Sequence, residues 1–323
     1  MRAALCTHLG GPDALTLADL PEPAPGPGEV LIRVTAVALN YFDTLILRGQ
    51  YQYKPELPFS PGGEVAGIIE ALGPGVEDLC AGERIIAYVK WNGCREMVAL
   101  PAADCIRIPA GVADDAAATL SIAYGTAMHG LADRGRLKAG ETVAVLGATG
   151  GAGLAAVEIA RLMGARVIAL ASAEKLPACL EHGADETLDI ATPDLKDALK
   201  HITGGTGCDV IYDCVGGPYA EPALRAMAWR GRYLVVGFAG GGIPSIPLNL
   251  LLLKGCEMAG VFFGRFVELE PMAHRRNMEQ VLAWCAAGRI VPRIHATFPL
   301  SRTGEALALI EARKVTGKLI ITP

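Results

Sequence analysis

Over roughly the first 120 residues the apolar positions come in short, punctuated runs. Residues 2–7, 14–20, 30–38, 64–71 and 84–89 are each rich in apolar and β-branched side chains. Turn chemistry separates them: Gly10-Gly11-Pro12, the Pro/Gly-rich residues 21–28, and Gly73-Pro74-Gly75. The pattern predicts an all-β region. Residues 113–134 then turn helical, and Asp114 and Asp115 suit the positive end of a helix dipole. From Thr142 the rhythm alternates. Strands are predicted at 142–146, 166–170, 186–188, 209–212, 232–236 and 256–261, and helices around 152–163, 175–182, 194–201 and 220–229. Six strands with crossover helices predict a doubly wound parallel sheet. A long helix over 268–287 leads to a tail with a strand at 294–298, a helix at 303–313 and a strand at 318–322. The tail reads as rejoining the β-region. The division is therefore 1–122 with 265–323 as one domain, and 123–264 as a dinucleotide-binding one.

The stretch TVAVLGATGGAGLAAVEIARLM, residues 142–163, carries the strongest chemical signal. Its apolar run suits a central strand buried on both faces, and the helix that follows takes Glu158 and Arg161 as its polar side. Between them stand Gly147, Ala148, Thr149, Gly150 and Gly151. Strand, glycine turn and helix in that order point several N–H groups and a helix dipole at one place, which is a site for a pyrophosphate. Gly147 allows the sharp turn, Gly150 and Gly151 let backbone approach phosphate, and Gly153 lets the helix lie close to the sheet. Thr149 and Ala152 complete the cradle. The competing reading is a purely structural glycine turn.

Composition narrows the class. The length of 323 residues suits two domains with real cores, and the net charge of −5 offers no basic face to nucleic acid. The most apolar stretch, residues 248–264, is broken by Asn249, Lys254 and Glu257, too early for a membrane span. No secretory pattern opens the chain. Nine cysteines, with no C-x-x-C pair, read as small core residues in a reducing compartment. The expectation is a cytoplasmic protein.

The order of β-domain, nucleotide domain and returning tail resembles the medium-chain dehydrogenase/reductase superfamily over essentially the whole chain. NYFD (40–43), RGQY (48–51), LPFSPGGEVAG (57–67), LGATGGAG (146–153) and ARKVTGKLIITP (312–323) resemble its zinc-independent quinone oxidoreductase branch. The resemblance implies an α/β protein with a partly open, GroES-like β-barrel as catalytic domain, a Rossmann domain, and an active site in the cleft between them. It also bears on metal. Zinc members place a Cys ligand in the loop that here reads Asn40-Tyr41-Phe42-Asp43, and a His in a Gly-His-Glu motif that here reads Gly62-Gly63-Glu64. Their four-cysteine structural site is matched here only by Cys94 and Cys105. No zinc is expected, and alcohol oxidation loses its Lewis acid.

What remains is hydride transfer to an electron-poor acceptor, a quinone or conjugated enone. Such chemistry needs hydrogen-bond donors aimed at the developing oxyanion and a source of protons. Asn40 and Tyr51 are the candidates. Tyr51 lies in a stretch similar to the one where enoyl thioester reductases carry a proton-donating tyrosine, while Asn40 reads equally as a turn residue. Asp43 reads as supporting the loop or capping the helix that follows it. Tyr41 and Tyr53 are candidates to line the pocket.

The tip of the second Rossmann strand reads Ala169-Leu170-Ala171-Ser172, without the acid that would hold an NAD ribose. Ser172 and Lys175 suit a 2′-phosphate, and NADPH-using relatives carry a lysine matching Lys175. Glu174 and the Ile190 that replaces a family tyrosine argue against, and Lys175 reads also as a plain solvated lysine. The expected cofactor is NADPH. Resemblance further implies nicotinamide contacts from Thr126, from Gly237-Phe238-Ala239 and from Phe262-Phe263-Gly264, and a phosphate contact from Lys318. Thr126 has helix packing as its rival role, and Lys318 simple exposure. The sixth strand is an open apolar edge, and relatives join two subunits there, so a homodimer is expected through residues 246–262. Two alternatives stay open: a trans-2-enoyl thioester reductase, and a nucleotide-binding structural protein such as relatives in the eye lens.

Overall fold

The computed structural model describes all 323 residues. Its strands, in chain order, are β1 Arg2–Cys6, β2 Leu15–Asp19, β3 Glu29–Leu39, β4 Glu64–Leu72, β5 Arg84–Tyr88, β6 Met97–Pro101, β7 Ile106–Arg107, β8 Thr142–Leu146, β9 Arg166–Ala171, β10 Glu186–Asp189, β11 Cys208–Asp213, β12 Met227–Val235, β13 Glu257–Gly260, β14 Ile294–Pro299 and β15 Lys318–Thr322. Two compact units result, Met1–Ile122 with Met278–Pro323 and Ala123–Asn277.

The first unit is built on a mixed sheet of order β14-β15-β3-β4-β5-β7, with β6 paired to β3 and a separate β1-β2 ribbon. Strand β3 organises it. Two register shifts, at Leu31/Ile32 and Val34/Ala36, bend the strand. It can then pair with β6 at one end and β15 at the other. Its burial alternates at first and becomes continuous from Val37 to Leu39, where β4 and β15 flank it. Ile32, Leu39, Phe59, Ile69 and Ile85 fill the core beneath.

The second unit is the doubly wound parallel sheet that the alternation predicts, in the order β10-β9-β8-β11-β12-β13. Strand β8 lies at the centre and is buried from Val143 to Leu146, which explains its unbroken apolar run. The order reverses between β8 and β11, and ligands of such sheets bind outside the strands' carboxyl ends at this point.

Several predicted elements shift. The helix expected over 220–229 ends at Arg225, and Trp229 already belongs to β12. Arg230, with φ 62, and Gly231 break the alternation that would have marked an earlier strand start. The helix expected over 268–287 is two, Phe263–Leu269 and Pro271–Ala286, because a proline disfavours helical geometry at the residue before it. Residues 114–134 are helical but contain two π-type stretches, Leu120–Tyr124 and His129–Arg134. Glu158, expected on a solvated face, is buried; it accepts from the Tyr124 hydroxyl and sits 3.1 Å from His182 Nδ1. The unit ends at Asn277 rather than at residue 264. His129 stacks on Phe266 at 3.8 Å and Asn277 donates to Asp133 at 3.0 Å, which ties the residues after 264 to the Rossmann unit. No helix is long and apolar enough to cross a membrane.

Candidate active site

In the second unit the glycines do distinct physical work. Gly147 turns the chain off β8 with φ 76, and a Cβ there would lie 2.8 Å from Val215 Cγ2. A Cβ on Gly153 would lie 2.2 Å from the Gly147 carbonyl and 2.7 Å from Ala148 Cα, so only glycine lets the helix Gly151–Leu162 approach the turn. Gly150 differs. It is the N-cap with φ −73, and its Cβ would meet nothing closer than 3.6 Å. The fold itself therefore tolerates a side chain at 150. The first intrahelical bond is Leu154 N to Gly150 O, 2.9 Å, and no side chain caps the helix. The N–H groups of Gly151, Ala152 and Gly153 thus point out of the helix end, as an anion site requires. Thr149 is buried beside them.

The tip of β9 brings Ser172, Glu174 and Lys175 into one turn, with the Ser172 hydroxyl donating to Glu174 at 2.7 Å. Ile190 pairs with the same tip through Ala171 O at 2.9 Å. A cavity of about 660 Å³ is lined by segments that follow β10, β11 and β12, including Thr192, Lys196, Tyr219, Arg225 and Ser245. Thr126 is buried in a short helical turn. The loop after β12 turns its donors inward: Gly237 N bonds Asp213 O and Ala239 N bonds Cys214 O, at 3.2 and 3.0 Å, leaving the Phe238 side chain exposed. Phe262 is exposed, but Phe263 and Gly264 are not loop residues. They open the helix Phe263–Leu269, and the Phe263 ring packs edge-on to His274 at 5.5 Å.

Asp213, at the carboxyl end of β11, went unnoticed in the sequence. It is buried, and accepts from Val215 N (2.8 Å), Gly216 N (2.9 Å) and the Tyr233 hydroxyl (2.6 Å). Burial raises its pKa, against the pull of those donors. It holds the turn whose Val215 packs on Gly147. An acid closing an apolar strand at the switch point was the available signal.

The first unit assembles a buried polar cluster from three strand ends. The register sets Ala38 opposite Glu64 and Leu39 opposite Leu319, which brings Asn40, Glu64 and Lys318 together. Glu64 has no solvent exposure and Lys318 only 4 %. Lys318 Nζ donates to Glu64 Oε1 at 2.8 Å and to Asn40 Oδ1 at 2.6 Å. Asn40 Nδ2 donates to Glu64 Oε1 at 3.0 Å and to Ala38 O at 3.3 Å, and Ile122 N donates to Glu64 Oε2 at 2.7 Å. Two expectations change here. The Asn40 amide is engaged at both ends within the protein, so it orients the cluster instead of donating outward. Lys318 is neither exposed nor aimed at a phosphate, because its ammonium neutralises Glu64. In sequence Glu64 is only the acid of a Gly-Gly-Glu motif, and its role emerges from the pairing.

Asp43 sits in the first turn of the helix Tyr41–Leu47, not before it. Its carboxylate accepts from Asn40 N at 2.7 Å and Gly62 N at 2.9 Å, so it supports the loop and caps the helix at once. Burial pushes its pKa up to about 7; the two backbone donors and Lys318 oppose the rise and Glu64 adds to it. Tyr51 is half-buried, stacked on Phe42 at 5.3 Å and edge-on to Tyr53 at 5.8 Å. Burial raises its hydroxyl pKa to about 12, so it stays protonated at neutral pH. Phe42 also explains Gly63. A Cβ at 63 would meet Phe42 Cζ at 2.5 Å and Lys90 O at 3.0 Å, so the ring occupies the space that a side chain there would need.

Comparison with known proteins agrees with both halves. Residues 26–132 match the family described as alcohol dehydrogenase GroES-like domain, and residues 151–286 the family described as zinc-binding dehydrogenase. The rat quinone oxidoreductase-like protein 2 is 38% identical over 323 residues, covering 99% of this chain and 92% of that protein. A mycobacterial structure complexed with NADPH is 30% identical with a TM-score of 0.93, covering 100% of both chains. The Escherichia coli quinone oxidoreductase complexed with NADPH is 26% identical with a TM-score of 0.93, again covering 100% of both.

Proposed function

The chain belongs to the quinone oxidoreductase branch of the medium-chain dehydrogenase/reductase superfamily and is an NAD(P)-dependent oxidoreductase, and from that premise we propose that it uses NADPH, without zinc, to reduce a quinone or a conjugated enone. The observation that carries this reading is the Phe42 ring packed into the space beside Gly63. Where zinc relatives present a histidine, this chain has neither the side chain nor the room for one. A metal-free acceptor must then be electrophilic on its own account, as conjugated carbonyls are.

The dinucleotide fits the glycine turn, where Gly151, Ala152 and Gly153 offer outward N–H groups and Gly150 keeps the approach open. Lys175 suits a 2′-phosphate, which the Ser172 hydroxyl would join by exchanging its bond to Glu174, and the two similar NADPH complexes favour the same choice. Bound there, a reduced nicotinamide would supply a hydride. Tyr51 donates a hydrogen bond to the oxygen on which charge develops. Lys318 holds positive charge within the Asn40–Glu64 cluster, and Asp43 fixes the loop that carries Asn40. NADPH and NADH oxidation against a panel of quinones and enones tests the proposal. Acceptor-dependent decay faster with NADPH is expected, and Lys175→Met should raise the KM for NADPH about tenfold while leaving that for NADH nearly unchanged. Decay with no acceptor would remove the reading.

The quaternary proposal is a two-fold dimer through β13. That strand is the sheet's open edge, and Trp229, Ile243, Leu248, Leu252 and Leu253 stand exposed in the segments around it. An unpaired edge bordered by large apolar side chains is a pairing surface. Light scattering should give twice the chain mass, and Leu252→Lys combined with Leu253→Lys should give the monomer.

A further inference from the structure

The first unit carries a row of aromatic rings, of which the proposed hydride chemistry uses only Tyr51 as a donor. It starts at Phe42, in the same helical turn as Asp43, and passes through Tyr51 and Tyr53 to Trp91, which lies 6.2 Å from Tyr53 at 50°. All four side chains are half-buried. Trp91 sits there on an unusual backbone. Lys90 and Asn92, on either side of it, both adopt left-handed φ values of 65 and 71. Side chains with a Cβ rarely accept that geometry, and its persistence means that the surroundings enforce it. The enforcement is visible. Asn92 N bonds Ser60 O at 2.7 Å, Ser60 N bonds Asn92 Oδ1 at 2.8 Å, and Arg95 donates to both Ser60 Oγ (3.0 Å) and Asn92 Oδ1 (2.5 Å). The Lys90 carbonyl packs close to Gly63, beside the Phe42 ring. Trp91, like Phe42 and Tyr51, is partly buried against the core of this unit, and the bracket adds to that packing. What the bracket achieves is a fixed position for one indole relative to Tyr53, and Lys90 Nζ lies 5.8 Å from the same Tyr53 ring.

We propose that Trp91 is a specificity-determining residue: its rigidly held indole is the distal wall of the acceptor site and selects planar acceptors of several fused rings over single-ring ones. An electron-poor fused-ring plane stacks on electron-rich indole and phenol faces. Between Tyr51 and Trp91 stands Tyr53, with centroid steps of 5.8 and 6.2 Å, more than a single ring spans. The inference rests on the acceptor reading given above, and adds what sets the size of the acceptor.

Trp91→Leu keeps the site apolar and removes the aromatic face; Trp91→Phe restores one. With NADPH, Trp91→Leu should raise the KM for 9,10-phenanthrenequinone about tenfold with kcat little changed, and leave the KM for 1,4-benzoquinone within about twofold. Trp91→Phe should recover most of the loss. An equal change for both quinones, or none for either, overturns the proposal. A fluorescence titration separates it from the functional reading, because it needs no turnover. Phenanthrenequinone should quench part of the wild-type tryptophan emission saturably, and that component should vanish in Trp91→Leu. If the wild type reduces neither quinone, the functional reading fails, and the titration alone decides for or against Trp91.

Discussion

Replacing Lys318 with methionine is expected to destabilise the protein by about 3–5 kcal/mol, the usual cost of leaving one member of a buried ion pair without its partner. Glu64 has no solvent exposure, and the Lys318 ammonium 2.8 Å away is the one cation bonded to it. Its remaining donors, Asn40 Nδ2 and Ile122 N, satisfy lone pairs but carry no charge. Heat or urea unfolding should show the loss, with a Tm lower by roughly 10 °C for a unit of this size. The pH dependence gives the sign. Lys318 holds down the pKa of Asp43, which already stands at about 7, so in the variant the folded state binds that proton still more tightly than the unfolded chain. A carboxyl raised in the folded state contributes stability below its unfolded pKa and loses it as pH rises through the folded one. The deficit of the variant should therefore be smaller at pH 5 than at pH 8. A double variant, Lys318→Met with Glu64→Gln, should recover most of the loss, because Glu64 then carries no charge to leave unmatched and no longer opposes ionisation of Asp43. A deficit that is independent of pH, or that the double change does not relieve, would mean that Lys318 acts by packing alone.

That cluster marks the limit of what the sequence discloses. Strand β8 and the turn after it were legible because their causes are local: a central parallel strand is apolar at every position, and the turn's conformations demand glycine within a few residues. Glu64 and Lys318 stand 254 positions apart, and only the pairing of β3 with both β4 and β15 brings them together. Lys318 therefore reads from sequence as an ordinary tail lysine. The same holds for Phe42 and Gly63, whose complementarity is steric and crosses from a helix to a loop. Helix limits erred where one residue overrode periodicity, as at Pro271, or where a strand holds a left-handed residue within it, as at Arg230 in β12. Glu158 misled because charge is taken to mean exposure, and here Tyr124 and His182 supply buried partners. Local rules thus recover the elements and the glycine turn, and tertiary pairing decides which polar residues meet.

The glycine turn allows a test in which two alanine substitutions, three residues apart, are expected to act by different physics. Gly153→Ala places a methyl 2.2 Å from the Gly147 carbonyl and 2.7 Å from Ala148 Cα, both of them backbone atoms. Neither can swing aside, so the helix must move off the turn. Overpacking of this kind costs about 1–3 kcal/mol, and the displaced helix end should weaken NADPH binding by on the order of 100-fold, or about 2.7 kcal/mol. Gly150→Ala meets no such obstacle, since its φ of −73 suits any residue and its nearest neighbour stands at 3.6 Å. Its melting temperature should stay close to that of the parent, because alanine restricts the unfolded chain more than glycine does and this offsets its poorer fit at an N-cap. Its affinity for NADPH should nevertheless fall about tenfold or more, because the new methyl stands where phosphate approaches the backbone. Calorimetric titration with NADPH alongside thermal unfolding measures both quantities for both variants. The combination of intact folding and impaired binding in Gly150→Ala is what a ligand site predicts and a purely structural turn does not. Should that variant bind NADPH as tightly as the parent, the pyrophosphate does not lie against Gly150, and the cradle assigned to residues 150–153 is lost.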